Sequence, residues 1–262
     1  MPTGSAPNNT PDSTERGLGI QPETLIVVVV VVFIAYSIFG ATGFGASPLT
    51  VPVLAHVLPL TFVLSLAALL DLSSGLALGF HTRKQADTRE LLTLLPFTLV
   101  GLTFGVTLLV NLPRKATVLA LGLFVCVYAL YVLLRGRSTR QLSRRWAAPA
   151  GTLGGIIGAL FGIGGPPYVM YITGRVQDPS AQRATISQMV IVNVGLRVVA
   201  FAFAGLLFSR ALWIAVMLLL PVAFAGLWVG NRAHVSVAPA VMARLIGATL
   251  LLTGVALIIR TI

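Results

Sequence analysis

Two ionisable side chains stand where hydrocarbon would surround them. Asp71 lies inside the apolar run 60–80 and Arg197 inside 184–208, and of seven acidic residues only Asp71 is mid-run. A charge at mid-bilayer costs at least ~2.5–3.5 kcal/mol on insertion scales, so such residues mark pathways or paired sites. Arg197 carries a planar fork of donors that matches a carboxylate or sulfonate. Asn193 precedes it by one helical turn on the same face. Three readings are open. Arg197 binds an anion directly; Asp71 and Arg197 pair as a structural or gating bridge; or either one snorkels or faces a small aqueous pocket. An unpaired Asp71 would support a protonation-coupled cycle.

Two Gly/Pro interruptions complete the chemistry-bearing set. Gly40-Ala41-Thr42-Gly43-Phe44-Gly45-Ala46-Ser47-Pro48 breaks the first apolar run, and Gly162-Ile163-Gly164-Gly165-Pro166-Pro167 breaks the fifth. Glycine accepts backbone angles other residues refuse, and proline suits the first turn of a new helix. Backbone groups freed at membrane depth cannot face lipid, so each break must be buried or line a polar cavity. A helix restarting at Pro48 or Pro166 would offer unpaired N–H groups and a positive dipole end to an anion. The plainer alternative is that these glycines only let helices pack closely.

The elements that must position these residues follow from composition. The chain has 262 residues, of which 56% are hydrophobic and 10% charged, with a mean hydropathy of +0.95. Soluble domains carry roughly a quarter charged residues, so a water-soluble enzyme is excluded. Apolar runs fall at 24–57, 60–80, 91–110, 116–134, 148–174, 184–208, 211–230 and 241–260. Most match the ~20 residues a helix needs to cross a bilayer. The expectation is an all-α, polytopic transmembrane bundle. Residues 1–23 form a polar tail without signal-peptide features. A net charge of +11 reads as topology signals facing anionic lipid, not as nucleic-acid binding. Cys126 alone allows no internal disulfide and no Cys-rich metal site.

The halves match. At an offset of 125, Pro96, Gly101, Leu102 and Gly105 fall on Pro221, Gly226, Leu227 and Gly230, and Gly122 falls on Gly247. At an offset of 119 the two Gly/Pro breaks coincide. This divides the chain into a first repeat (24–134), a basic cytoplasmic linker (135–147) and a second repeat (148–262). Each repeat has four hydrophobic segments, the first of them broken. Paired breaks at corresponding positions of two repeats point to a transporter's binding site. The 125 offset also sets Asp71 against Leu196 and Leu72 against Arg197. The two charges therefore occupy adjacent, pseudo-equivalent places.

Gly43-Phe44-Gly45 followed by Pro52, and Gly158-Ala159-Leu160-Phe161-Gly162-Ile163-Gly164-Gly165-Pro166, stand in this four-plus-four layout with basic loops after the second and fourth segments. In these features the chain resembles the TauE/SafE sulfite-exporter family over roughly residues 25–260. Phe44 and Ala46 interrupt the glycine run usual in the first motif. The resemblance implies a secondary transporter, and an exporter, of small sulfur-containing or carboxylated anions such as sulfite or sulfonates.

The expected substrate site comprises Gly43, Phe44, Gly45, Ala46, Ser47, Gly162, Gly164, Gly165, Pro166, Asn193 and Arg197. Asp71, Tyr168 and His56 are candidates for coupling or gating. Alternating access would come from one half rocking against the other around this midplane site; an anion channel or a non-transporting membrane subunit is the alternative. The partners expected are a small anionic substrate, membrane lipid, a coupling proton or sodium ion and, in a homo-oligomer, further copies of the chain. No metal site or cofactor is expected, since His56, His81 and His234 make no ligand spacing and no phosphate-binding Gly-Lys loop occurs. Intramembrane enzyme chemistry is not expected either. Asp71-Leu72-Ser73-Ser74-Gly75 is not a serine-protease nucleophile motif, and aspartyl or Mg²⁺ chemistry needs more carboxylates.

Charge leaves the topology open. If each broken segment crosses, the basic residues divide 11 to 6 with both termini inside; if each turns back, 12 to 5 with both termini outside. Both schemes make the loops at 81–90 and 135–146 cytoplasmic. The short apolar stretch after each break favours turning back, which would make the repeats inverted.

Overall fold

A computed structural model describes residues 22–42, 45–79, 85–134, 142–233 and 239–261. Gly43, Phe44, His81, His234, the tail through residue 21 and linker residues 135–141 lie outside it. The described residues form ten α-helices and no strand. The helices are α1 (Pro22–Thr42), α2 (Ser47–Leu54), α3 (Leu60–Gly79), α4 (Thr88–Asn111) and α5 (Arg114–Leu134). A 3₁₀ turn at Arg144–Trp146 leads into α6 (Ala147–Phe161), α7 (Gly165–Thr173), α8 (Pro179–Phe203), α9 (Arg210–Ala233) and α10 (Pro239–Thr261). Five of them are long and apolar enough to cross a membrane: α1, α3, α4, α8 and α9. The protein is a multi-pass membrane protein.

Local chemistry sets the helix limits. The Asp87 carboxylate accepts from the Arg89 and Glu90 N–H groups and starts α4. Asp178 starts α8 by accepting from the Ala181 N–H at 2.7 Å, with Pro179 in the first turn. Hydrogen bonds from the Ser180 hydroxyl and that N–H hold the Asp178 carboxyl below the usual carboxylate range. Gly162, at φ +74°, ends α6 in the left-handed conformation that favours glycine. Pro166 and Pro167 then open α7. Both sequence breaks are thus real helix ends, with α2 and α7 only 8 and 9 residues long. At 1.5 Å per residue each is about 12–14 Å, less than half a bilayer core.

The second broken segment turns back. Glu90 Oε1 receives Arg144 at 3.1 Å and Arg175 at 3.0 Å. The Leu142 N–H donates to the Gly174 carbonyl at 2.8 Å. Arg144 precedes α6 and Arg175 follows α7, so α6 and α7 leave and return at one level. Charge counting could not separate crossing from re-entry; this cluster does so for α6–α7.

Packing crosses between the halves. α1 lies on α9 and α4 on α6, while α3 faces α8 and α5 faces α10. Exchanging the two halves leaves this pairing unchanged. A Cβ on Gly101 or Gly230 would overlap the backbone carbonyl of Thr152 or Ser37, respectively, so these backbones are in direct contact. Gly101 and Gly105 meet Thr152 and Ile156 in ascending order, and Gly226 and Gly230 meet Phe33 and Ser37 likewise. Both pairs are therefore parallel. In contrast, Leu72 meets Gly195 and Gly75 meets Ile191, so α3 and α8 run antiparallel. These are the helices that hold Asp71 and Arg197.

The Glu90 cluster ties the start of α4 to both ends of the α6–α7 hairpin. Tyr171 of α7 also donates to Glu90 Oε2, and the bond to Glu90 pushes the Arg175 pKa up. Glu90 is 4% exposed, whereas its partners Arg144 and Arg175 are 39% and 28% exposed. Solvent weakens these pairs. E90Q keeps the shape, removes the charge, and is expected to cost about 1–2 kcal/mol. Thermal unfolding in detergent at low and high salt measures it; equal melting of variant and wild type at both salts would show the cluster to be inert.

Candidate functional site

The two breaks meet. Gly45, Ser47 and Pro48 from the first face Gly162, Gly164, Gly165 and Pro166 from the second across a narrow cavity, with Asp71, Tyr128, Tyr168 and Asn193 in its wall. The elements that bring these residues together are the starts of α2 and α7 and the crossing of α3 with α8.

Asp71 is held by four groups. Tyr36 donates its hydroxyl to Oδ1 at 2.8 Å, the Ala46 N–H reaches the same oxygen at 3.3 Å, and the Ser47 hydroxyl donates to Oδ2. Arg197 Nη2 stands 3.8 Å from Oδ2, near enough to pair charges and too far for a hydrogen bond. The Asp71 carboxylate therefore lies on the N-terminus of α2, where a helix dipole favours an anion. The anion that the first break was expected to attract from outside is here supplied by the chain.

Arg197 is 0% exposed. Its Nη1 donates to the Gly158 carbonyl at 3.1 Å, while Nε and Nη2 have no hydrogen-bond partner among the described residues. Leaving a buried donor unpaired is costly, more so on a charged group. Nη1 also lies against Gly162, where any side chain would crowd it. Arg197 thus stands directly behind the second break, paired by charge with Asp71.

The second break is built differently from the first. Asn193 donates from Nδ2 to the Tyr168 hydroxyl at 2.9 Å, and its Oδ1 lies beside Gly158 and Gly164. No carboxylate of the described residues occupies the N-terminus of α7. At the offset of 125, Asp71 falls on Leu196. The start of α7 therefore carries no internal anion; of its first three residues only Gly165 has an N–H, since Pro166 and Pro167 have none.

Of the expected residues, Gly45, Ser47, Asp71, Gly162, Gly164, Gly165, Pro166, Tyr168 and Asn193 line this cavity. Ala46 acts through its N–H on Asp71, and Arg197 lies just behind the wall. His56 is not brought here. It sits just past α2, with Nδ1 2.9 Å from the Pro52 carbonyl, some 13 Å along the axis from Ser47. Sequence reasoning missed Tyr36, although it is the one tyrosine in the Val/Ile run of α1 and is fully buried. Tyr128 also went unremarked, since nothing in its run sets it apart.

The family model described as sulfite exporter TauE/SafE matches residues 28–257. The chain is similar to a protein of Comamonas testosteroni named "Probable inner membrane transporter protein TsaS", at 25% identity over 193 residues, 73% of this chain and 81% of the relative. No solved structure matches the chain.

Proposed function

The chain belongs to the TauE/SafE sulfite-exporter family of membrane transporters, and from that premise we propose that it carries small sulfur or carboxylate oxyanions across the membrane through the cavity between its two breaks. The observation that carries this reading is Arg197, a fully buried guanidinium with two unpartnered donor nitrogens beside that cavity. A planar guanidinium recognises an oxyanion through two parallel hydrogen bonds. The N-terminus of α7 adds a positive dipole end and the N–H of Gly165, Pro166 and Pro167 having none. At α7 the substrate's anionic group takes the place that the Asp71 carboxylate holds at α2.

The antiparallel run of α3 and α8 supports reading the halves as inverted repeats, a frame for alternating access. Rocking one whole half against the other would tear the glycine contacts of α1 with α9 and α4 with α6. The moving bodies in this proposal are these cross-half pairs, which shift about the α3–α8 crossing.

Thermal unfolding of the purified protein in detergent tests the substrate class. Sulfite, sulfoacetate, thiosulfate and simple carboxylates are expected to raise apparent stability, by ~2.7 kcal/mol at a hundredfold excess over Kd. Dimethyl sulfone, which has sulfonyl oxygens and no charge, is expected to do nothing. Equal shifts for sulfone and sulfonate would refute recognition by charge, and no shift with any anion would refute the substrate class.

A further inference from the structure

The reading of the cavity as an anion site leaves open what keeps that site electrically balanced when an anion enters. We propose that Asp71 is the site of a coupling proton, taken up with each anion that binds Arg197; this rests on the transport function proposed above. The pair at the α3–α8 crossing is neutral as it stands, one carboxylate against one guanidinium at 3.8 Å. An anion that takes the free donors of Arg197 brings a second negative charge to the same cation. The site is then one charge negative at membrane depth, where an unbalanced charge is expensive. One proton on Asp71 restores neutrality. The proton comes from the aqueous phase that delivers the anion, because Asp71 lines the same cavity, and it leaves as the anion leaves.

The surroundings of Asp71 favour a proton over a sodium ion. The groups around its oxygens are a backbone N–H, two hydroxyls and a guanidinium. A metal ion needs a shell of oxygen lone pairs, and here an N–H and a cation face the carboxylate instead. A proton needs one oxygen. The other groups near Asp71 are few. Tyr36 comes from α1, Ser47 from α2 and Arg197 from α8, while α9 carries Arg210 and Arg232 at its two ends. Tyr128 and Tyr168 share the cavity wall. Among the described residues Asp71 is the one carboxylate at this site.

The test uses the full chain in lipid vesicles, with labelled methanesulfonate as probe because it carries one fixed negative charge and does not titrate near neutrality. With one proton per monoanion, transport is electroneutral. Vesicles one pH unit more acid outside than inside are expected to hold about a tenfold internal excess of label. Neither an imposed membrane potential nor a sodium gradient is expected to change that excess. D71N is expected to show no excess of label under the pH gradient. A pH-sensitive dye trapped in wild-type vesicles is expected to record one proton per methanesulfonate, a readout that stands even where D71N fails to fold. Wild-type exchange that ignores the pH gradient, follows sodium, or persists with its gradient response intact in D71N overturns the coupling and leaves the anion reading standing. No exchange of methanesulfonate, sulfite or sulfoacetate by the wild type overturns both.

Discussion

An R197A variant is expected to lose anion flux by about thirtyfold or more, on the ~2–5 kcal/mol that truncating one partner of a buried charged contact costs. It is also expected to lose stability. The side chain is 0% exposed and faces an Asp71 that is itself 5% exposed. Removing the cation strands a buried carboxylate, a change that typically costs about 3–5 kcal/mol. The two losses need separating, and R197K does so. Lysine keeps the balancing charge, so R197K is expected to melt nearer to wild type than R197A. Its single ammonium cannot form the planar, two-bond contact, so flux is expected to stay low. D71N/R197A removes both charges and is expected to recover stability without recovering flux. Vesicle counterflow with detergent melts on the same preparations reads both quantities. Undiminished flux in R197A would remove Arg197 from the substrate site.

The second large effect is expected at glycines with no charge nearby. G230A and G101A each introduce one methyl group, and each is expected to deplete folded protein in the membrane. At Gly230 the added Cβ would overlap the Ser37 carbonyl, and at Gly101 that of Thr152. Both obstacles are helix backbone, which cannot swing aside as a side-chain tip can, so a whole helix must shift. Overpacking costs typically 1–3 kcal/mol and occasionally more; rigid obstacles on both sides place these variants at about 3 kcal/mol or above. Gly195 is the control. Its nearest neighbour to a new Cβ is Leu72 Cδ1 at 3.8 Å, ordinary contact, and G195A is expected to melt with the wild type. Yield of monodisperse protein and its melting temperature settle the comparison. Wild-type behaviour in G230A would mean that α1 and α9 are not in backbone contact.

The helices and both breaks were legible because each is a local property of the chain. Runs of apolar residues end at charges, and glycine with proline marks the interruptions. The closeness of Asp71 and Arg197 was half legible. An offset of 125 puts them at adjacent equivalent places, but equivalent places touch only where the two helices run antiparallel and cross there. That orientation depends on whether α6–α7 crosses or returns, and the basic residues favour the cytoplasmic side about equally in both schemes. The three residues that settle it are far apart in sequence: Glu90 is in the first turn of α4, Arg144 in the 3₁₀ turn before α6 and Arg175 just past α7. Tyr36 was hidden for another reason. A tyrosine in a membrane helix reads as packing or as an interfacial anchor until its hydroxyl is seen to face a carboxylate.

The cross-half pairing also has a consequence for how the protein is made. α4 meets its partner soon, since Thr152 follows Gly101 by about 50 residues. α1 waits much longer, because Gly230 follows Ser37 by about 190 residues. At synthesis rates of ~5–20 residues per second, α1 spends roughly 10–40 seconds in the bilayer before α9 exists. During that interval the surface of α1 that will meet α9 has lipid against it, which favours a strongly apolar helix. The window Thr24–Ala41 has a hydropathy of 2.7, the highest of the five spanning windows. The run Val27–Val32, which goes round the whole helix, thus suits α1 to a long wait against lipid as well as to its final packing.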